Sequence, residues 1–125
     1  MKPFGFSKSQ HLRSSADFKH VYDVKCKAAD GVLLVFAASN STPTTRIGLS
    51  VSKKHGGAVV RNRLKRLLRE AFRLSQHELP AGFDLIAIPL AKDRATLDAY
   101  RESLVKIVRR LTKRFDQSVG KATPS

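Results

Sequence analysis

Apolar positions recur along this chain at two spacings, and the switches between them predict its elements. From Ala16 to about Val24, Phe18, Val21 and Tyr22 fall on one side at helical spacing, with Ser14 or Ser15 placed to cap the first turn. A short strand is expected over Lys25 to Ala28. GVLLVFAAS, residues 31–39, has strand length and composition, and the polar NSTPTT turns the chain into RIGLSVS. In that strand Ile47, Leu49 and Val51 alternate with Gly48 and Ser50, which predicts one buried face. The period then lengthens. Val60, Leu64, Leu67, Leu68, Ala71 and Leu74 cover an arc of roughly 120° on a helix at about 100° per residue, a core-facing stripe. FDLIAIP, residues 83–89, reads as a buried strand closed by Pro89. A last helix is expected from about Thr96 to Phe115, with Leu97, Tyr100, Leu104, Ile107, Val108, Leu111 and Phe115 inward. Helix, strands, helix, strand, helix is the order of an α/β (α+β) two-layer sandwich, three helices on a small mixed sheet of about four strands. One domain is expected over residues 1–125, with its core at about 12–115 and flexible ends at 1–11 and 116–125.

Charge narrows the partners. Twenty-four Lys and Arg against ten acids leave a net charge of +14 over 125 residues, more than solubility requires. A field of that size attracts nucleic acid first and an anionic membrane second. Cys26 is the single cysteine, which excludes a disulfide framework and a Cys-rich metal site. It is expected as a small half-buried strand residue rather than a reactive thiol. The basic start MKPFGFSKSQHLR lacks the apolar run of a signal peptide, and no segment approaches the roughly 20 apolar residues of a membrane span. A cytoplasmic protein with no membrane partner is the expectation.

The polar side of the second helix is unusual. An ordinary surface helix mixes charge signs at four-residue spacing, whereas Arg61, Lys65, Arg69 and Arg73 form a row of like charge, with Arg66 and Asn62 beside it. Glu70 is the one acid nearby. A partner that brings negative charge would relieve this repulsion. Five arginines to one lysine in residues 57–73 favour phosphate oxygens, because a planar guanidinium donates two parallel hydrogen bonds. Docking to a membrane or calmodulin would need the apolar stripe free, and the strands need that stripe as a lid. Lys53 and Lys54 lie just before the helix, where unpaired N–H groups already favour an anion, and Gly56 and Gly57 admit close approach. His55 beside them is either a phosphate contact or an exposed turn residue. No Walker loop is present, so nucleotide hydrolysis has no support.

Aromatic positions are a second signal. Phe18 and Tyr22 are four apart on the first helix, and Phe36 lies on the strand that this helix is expected to cover. They are either core residues or the floor of a partly open groove on which unpaired bases stack, each base contributing roughly 1–3 kcal/mol. For chemistry the sequence offers little. Its ten acids are spread along the chain, Asp98 and Glu102 have Arg94 and Lys106 as pairing partners, and the four histidines show no ligand or acid–base spacing. A binder without catalytic or metal-ligating residues, and without a small-molecule substrate, is expected.

RIGLSVSKKHGGAVVRNRLKRLLREAF, residues 46–72, closely resembles the bacterial ribonuclease P protein family. The carrying motif is RNRxKRxxRE, here Arg61, Asn62, Arg63, Lys65, Arg66, Arg69 and Glu70, after SVSKK. The resemblance extends through LRSSADFKHVY at 12–22, the strand with Phe36 and FDLIAIP, and so takes in most of residues 12–112. It implies a protein partner of a catalytic RNA, in a holoenzyme that removes the 5′ leader of precursor tRNA with Mg2+ bound mainly by the RNA. It further implies that Lys53, Lys54, Arg61, Asn62, Arg63, Lys65, Arg66 and Arg69 contact that RNA, with Arg73 continuing their row. Phe18, Tyr22 and Phe36 would then form the leader groove. A ribosomal-protein-like topology with a left-handed β-α-β crossover is implied too, against the usual hand. The chain departs from the family at Tyr22, where Phe is common, and at Gly57, where Asn is frequent. A free-standing endoribonuclease, a general RNA-binding or ribosomal-type protein with no part in tRNA processing, and a helix-turn-helix DNA binder are the rival readings.

Overall fold

The computed structural model describes residues 10–12, 14–90 and 95–122. Its elements are α1 (Ser15–Val24), β1 (Lys27–Ala29), β2 (Leu33–Ser39), β3 (Arg46–Leu49), α2 (Ala58–Ser75), β4 (Phe83–Pro89) and α3 (Leu97–Ala122), with 3₁₀ turns at Lys53–His55 and Gln76–Glu78. The strands form one mixed sheet in the order β1-β2-β4-β3. β2 is antiparallel to both neighbours, whereas β3 and β4 run parallel, joined through α2. β4 is central and covered on both faces, which is why LIAI, residues 85–88, is apolar at every position.

Local chemistry sets the boundaries. Ser14 Oγ accepts the Asp17 N–H at 3.0 Å and starts α1, and Lys25 ends it in the left-handed conformation at φ 62°. Because Lys25 serves as that cap, β1 begins two residues later than expected. Asn40 folds the β2–β3 turn by accepting the Thr42 N–H at 2.9 Å and donating to the Thr44 carbonyl at 2.8 Å. Thr96 Oγ1 accepts the Ala99 N–H at 3.1 Å and caps α3.

The two faces of the sheet are covered unequally. Leu33, Val35 and Ala37 of β2 and Leu85 and Ala87 of β4 meet Leu64, Leu68, Ala71 and Phe72 of α2 and Tyr100, Leu104, Ile107, Val108 and Leu111 of α3 in the main core. The alternate residues Phe36, Ala38, Ile86 and Ile88 face the other way, where α1 places Val21 and the chain before it places Leu12. Ten residues of α1 cover only part of that face, so Phe18, Tyr22, Phe36 and Ile88 remain partly exposed.

Three expectations change. β3 is buried on both faces, because Gly48 lies under Phe18 and Leu12. Its alternation of apolar residues with glycine and serine marks close approach of a ring, not a solvent face. On α2 the buried stripe is Leu64, Leu68, Ala71, Phe72 and Ser75, whereas Val60 is 40% exposed and Leu74 half-buried. The stripe is thus rotated by roughly 50° at 100° per residue, toward the large Phe72. Regular structure also extends past the expected core at both ends. His11 bridges to Ile47, Leu12 N–H donates to the Ile47 carbonyl at 2.9 Å, and α3 continues to Ala122. The expected fraying of residues 1–9 and 123–125, and the inward side chain of Phe115, lie outside the described residues.

Asp84 is the acid buried inside the sheet. Arg46 Nε donates to its Oδ1 at 2.8 Å and Arg46 Nη2 to its Oδ2, while Asn40 Nδ2 donates to Oδ1 at 2.8 Å. Arg46 Nη1 also reaches Asp17 of α1 at 3.6 Å. This cluster ties α1, the β2–β3 turn, β3 and β4 together. Asp84→Ala would leave Arg46 partly buried without its main counter-ion and is expected to destabilise the fold by about 3 kcal/mol in urea denaturation. A second test concerns Gly48, where an added Cβ would lie 2.5 Å from Phe18 Cζ. Gly48→Ala is expected to displace that ring at a cost of about 1–3 kcal/mol, read as a lower melting temperature.

Candidate nucleic-acid interface

The turn before α2 is built around a buried histidine. His55 is 8% exposed; its Nε2 lies 2.9 Å from the Pro89 carbonyl and its Nδ1 accepts the Ser52 N–H at 2.9 Å. These partners require a neutral ring with its proton on Nε2. The sequence left His55 as a phosphate contact or an exposed turn residue, and it is neither: it pins the turn to the end of β4. Lys53 and Lys54, on the same turn, are exposed. Gly56 follows at φ 138°, where a Cβ would meet Val60 at 2.9 Å, so glycine is required both conformationally and sterically. Gly57 caps α2 without a side chain, and no acid stands in the first turn. The N–H groups of that turn therefore have no side-chain acceptor there.

Rotation of the α2 stripe decides how its cations are presented. Arg61 is half-buried, with a covered Nε that lacks a hydrogen-bond partner, and Lys65 is half-buried as well. Asn62, Arg63, Arg66 and Arg69 are exposed. Arg63 gives Nη2 to the Ala95 carbonyl at 3.1 Å and so fastens α2 to the segment before α3. Arg73 is paired with Glu70 one turn back, and that contact holds the Glu70 carboxyl below its ordinary range. The like-charge row is therefore relieved at its C-terminal end. Arg61, Lys65, Arg66 and Arg69 make no ion pair among the described residues.

On the other side of the sheet the three aromatic rings come together. Phe18 and Tyr22 have centroids 6.4 Å apart, and Tyr22 meets Phe36 edge-on at 4.8 Å. Lys27, paired across the strands with Phe36, holds its Nζ 5.6 Å from that ring's centroid. All three rings are half-buried, so the choice between core and open groove has a mixed answer: their edges pack and part of their surface stays open.

The aromatic and basic groups meet. A cleft of about 600 Å³ is lined by His11, Leu12, Phe18, Ile47, Gly48, Leu49, Lys65 and Arg69. Gly48 permits this, since a Cβ there would collide with Phe18 and Leu12. An apolar ring and two cations in one cleft suit a nucleotide, base against Phe18 and phosphate toward Lys65 and Arg69. Sequence spacing had assigned these residues to separate surfaces and did not single out His11, Gly48 or Leu49. Nor did it single out Arg46 and Asp84, although a buried Asp in an apolar strand was a legible sign.

The remaining chemistry-bearing residues do not converge. Among the described residues no three or more His, Cys, Asp or Glu side chains group as a metal ion would need. Lys106 pairs with Asp30 at 3.5 Å rather than with Glu102, because β2 brings Asp30 to α3; the expected Asp98–Arg94 pair lies outside the described residues. Burial pushes the Cys26 thiol up, away from a reactive thiolate. No helix among the described residues is long and apolar enough to cross a membrane.

Comparison with known proteins identifies the family. A family model described as Ribonuclease P matches residues 6–112. The ribonuclease P protein component of Marinobacter nauticus is 41% identical over 128 residues, covering 96% of each chain. That of Clostridioides difficile is 34% identical, covering 91% of this chain and 98% of its own. Among solved structures, the Staphylococcus aureus RNase P protein superposes with a TM-score of 0.71 at 32% identity, over 82% of this chain and 94% of that one. The Thermotoga maritima RNase P protein gives 0.72 at 31%, over 80% and 96%. The chain belongs to the ribonuclease P protein family, the protein component of an endoribonuclease that works with RNA.

Proposed function

We propose that this chain docks the catalytic RNA of ribonuclease P on the basic face of α2 and holds the 5′ leader of precursor tRNA along Phe18, Tyr22 and Phe36. The observation that carries the reading is the shared cleft: Phe18, Lys65 and Arg69 line the same cavity, so a strand leaving the aromatic face arrives at the RNA-docking helix. Lys53, Lys54, Arg61, Asn62, Arg63, Arg66 and Arg73 extend that surface along α2 and its preceding turn. Arg63 and Arg73 do so with part of their hydrogen-bonding capacity already engaged. No membrane or small-molecule substrate enters the reading, and its setting is the cytoplasm.

Hydrolysis is assigned to the RNA, with Mg2+ held mainly by RNA phosphates and supplying charge neutralisation and an activated water. The protein's part is electrostatic and steric. Two polyanions brought together repel, and cations held on a packed helix lower that repulsion without reorganising. Stacking fixes the leader next to the junction it must be cut from.

Reconstitution tests the proposal. Added to a ribonuclease P RNA at low Mg2+, the protein should accelerate leader removal, whereas protein alone should leave precursor tRNA uncut. No acceleration, or cleavage by protein alone, would overturn the reading. If about six phosphates are neutralised, log K should fall against log[salt] with a slope of roughly −4 to −5. Lys65→Ala, Arg66→Ala and Arg69→Ala together should bring that slope to roughly −2 with little change in melting temperature. Arg61 is left out of this set because its Nε is buried. Tyr22→Ala should weaken precursor binding by about 1–3 kcal/mol in a titration and leave mature tRNA unaffected.

A further inference from the structure

The outward face of α3 carries charge that the α2 and α1 surfaces do not use. A groove of about 770 Å³ beside the end of α2 is bordered by Arg101, Lys106, Arg109, Arg110 and Lys113 of α3. It shares no residue with the cleft at Phe18, Lys65 and Arg69. Glu78, Asp98 and Glu102 border it too, but the two on α3 belong to the first two turns of that helix. From Lys106 onward every α3 residue at the groove is basic. Lys106 meets Asp30 at 3.5 Å, whereas Arg109, Arg110 and Lys113 are exposed and make no side-chain hydrogen bond or ion pair with any described residue.

Neither ordinary explanation of such a cluster applies. Cations complement a helix dipole within its last turn, and α3 continues to Ala122, more than two turns past Lys113. A solvated face alternates charge sign at four-residue spacing, but Lys106–Arg110, Arg109–Lys113 and Arg110–Arg114 all repel. An anionic membrane would want an apolar stripe alongside the charge, and the apolar side of α3 is buried through Tyr100, Leu104, Ile107, Val108 and Leu111. Arg109 and Lys113 lie about 6 Å apart along the axis, with Arg110 one step round, so the three donors share one side of the helix within an arc of about 100°.

We propose that the outer face of α3 is a second RNA-binding surface, in which Arg109, Arg110 and Lys113 grip the phosphate backbone of an RNA helix without reading its bases. Because this groove and the α2 cleft have separate linings, one protein molecule can hold this RNA helix while the α2 and aromatic surfaces are occupied.

The test uses the full chain carrying Arg109→Gln, Arg110→Gln and Lys113→Gln, titrated against a 20-base-pair RNA duplex and against a ribonuclease P RNA over a range of salt. The slope of log K against log[salt] is expected to become shallower by about 2–3, and affinity at 150 mM salt to fall roughly tenfold or more. Melting temperature should not change, since all three side chains are exposed. A companion set, Arg109→Lys and Arg110→Lys, should restore the slope, which a packing defect would not do; if the triple melts early, single substitutions should each remove roughly 0.7–0.9 from it. An unchanged slope for both RNAs overturns the proposal, as does a loss that the lysine set fails to restore. Charge-dependent binding confined to vesicles of anionic lipid overturns it too. The Lys65, Arg66 and Arg69 set, run in parallel, separates this outcome from failure of the α2 docking surface, and the duplex needs no ribonuclease P RNA.

Discussion

Like charges spaced one turn apart along α2 repel one another, and that arrangement persists only because the opposite side of the helix is anchored. Leu64, Leu68, Ala71 and Phe72 are essentially inaccessible against the sheet and α3. Burial of each large apolar side chain contributes roughly 1.5–3 kcal/mol, well above the few tenths lost for each like-charged pair. Packing thus sustains a cationic surface that an isolated helix of this sequence would resist. The cationic row and the core-facing stripe occupy opposite sides of the same eighteen residues.

The aromatic face depends on a different anchor. α1 is short and covers half a sheet, so its hydrophobic contacts alone would hold it loosely. Arg46 adds direction, forking onto Asp84 inside the sheet and reaching Asp17 on the helix. The ring of Phe18 then settles on Gly48, the one residue of β3 without a side chain to obstruct it. Incomplete cover by α1 is what leaves ring surface available for stacking.

His55 performs a similar service at the start of α2. A neutral imidazole bridging Ser52 and Pro89 ties the Lys53–His55 turn to the end of β4, so the two exposed lysines project from a fixed base. Both cationic groups of α2, the row and the turn, are therefore mounted on the rigid part of the molecule. Preorganised charge of this kind binds a polyanion without first ordering itself.

Periodicity and composition by themselves determined the three helices, the mixed sheet, the basic row of α2 and the partner class. These follow from local spacing and net charge, and the RNRxKRxxRE stretch carried the family resemblance in its residues alone. Tertiary structure decided what depends on neighbours distant in sequence. On α2 Phe72 rather than Val60 belongs to the buried stripe, and that rotation leaves Arg61 and Lys65 half-buried. His55 became buried because β4 supplies an acceptor 34 residues away, and Lys106 chose Asp30 over Glu102 because β2 lies beside α3. The meeting of Phe18 with Lys65 and Arg69 likewise required α1 and α2 to converge across β3. A one-dimensional pattern specifies which side of a helix is apolar, but only the packed molecule fixes the angle of that side and what stands opposite.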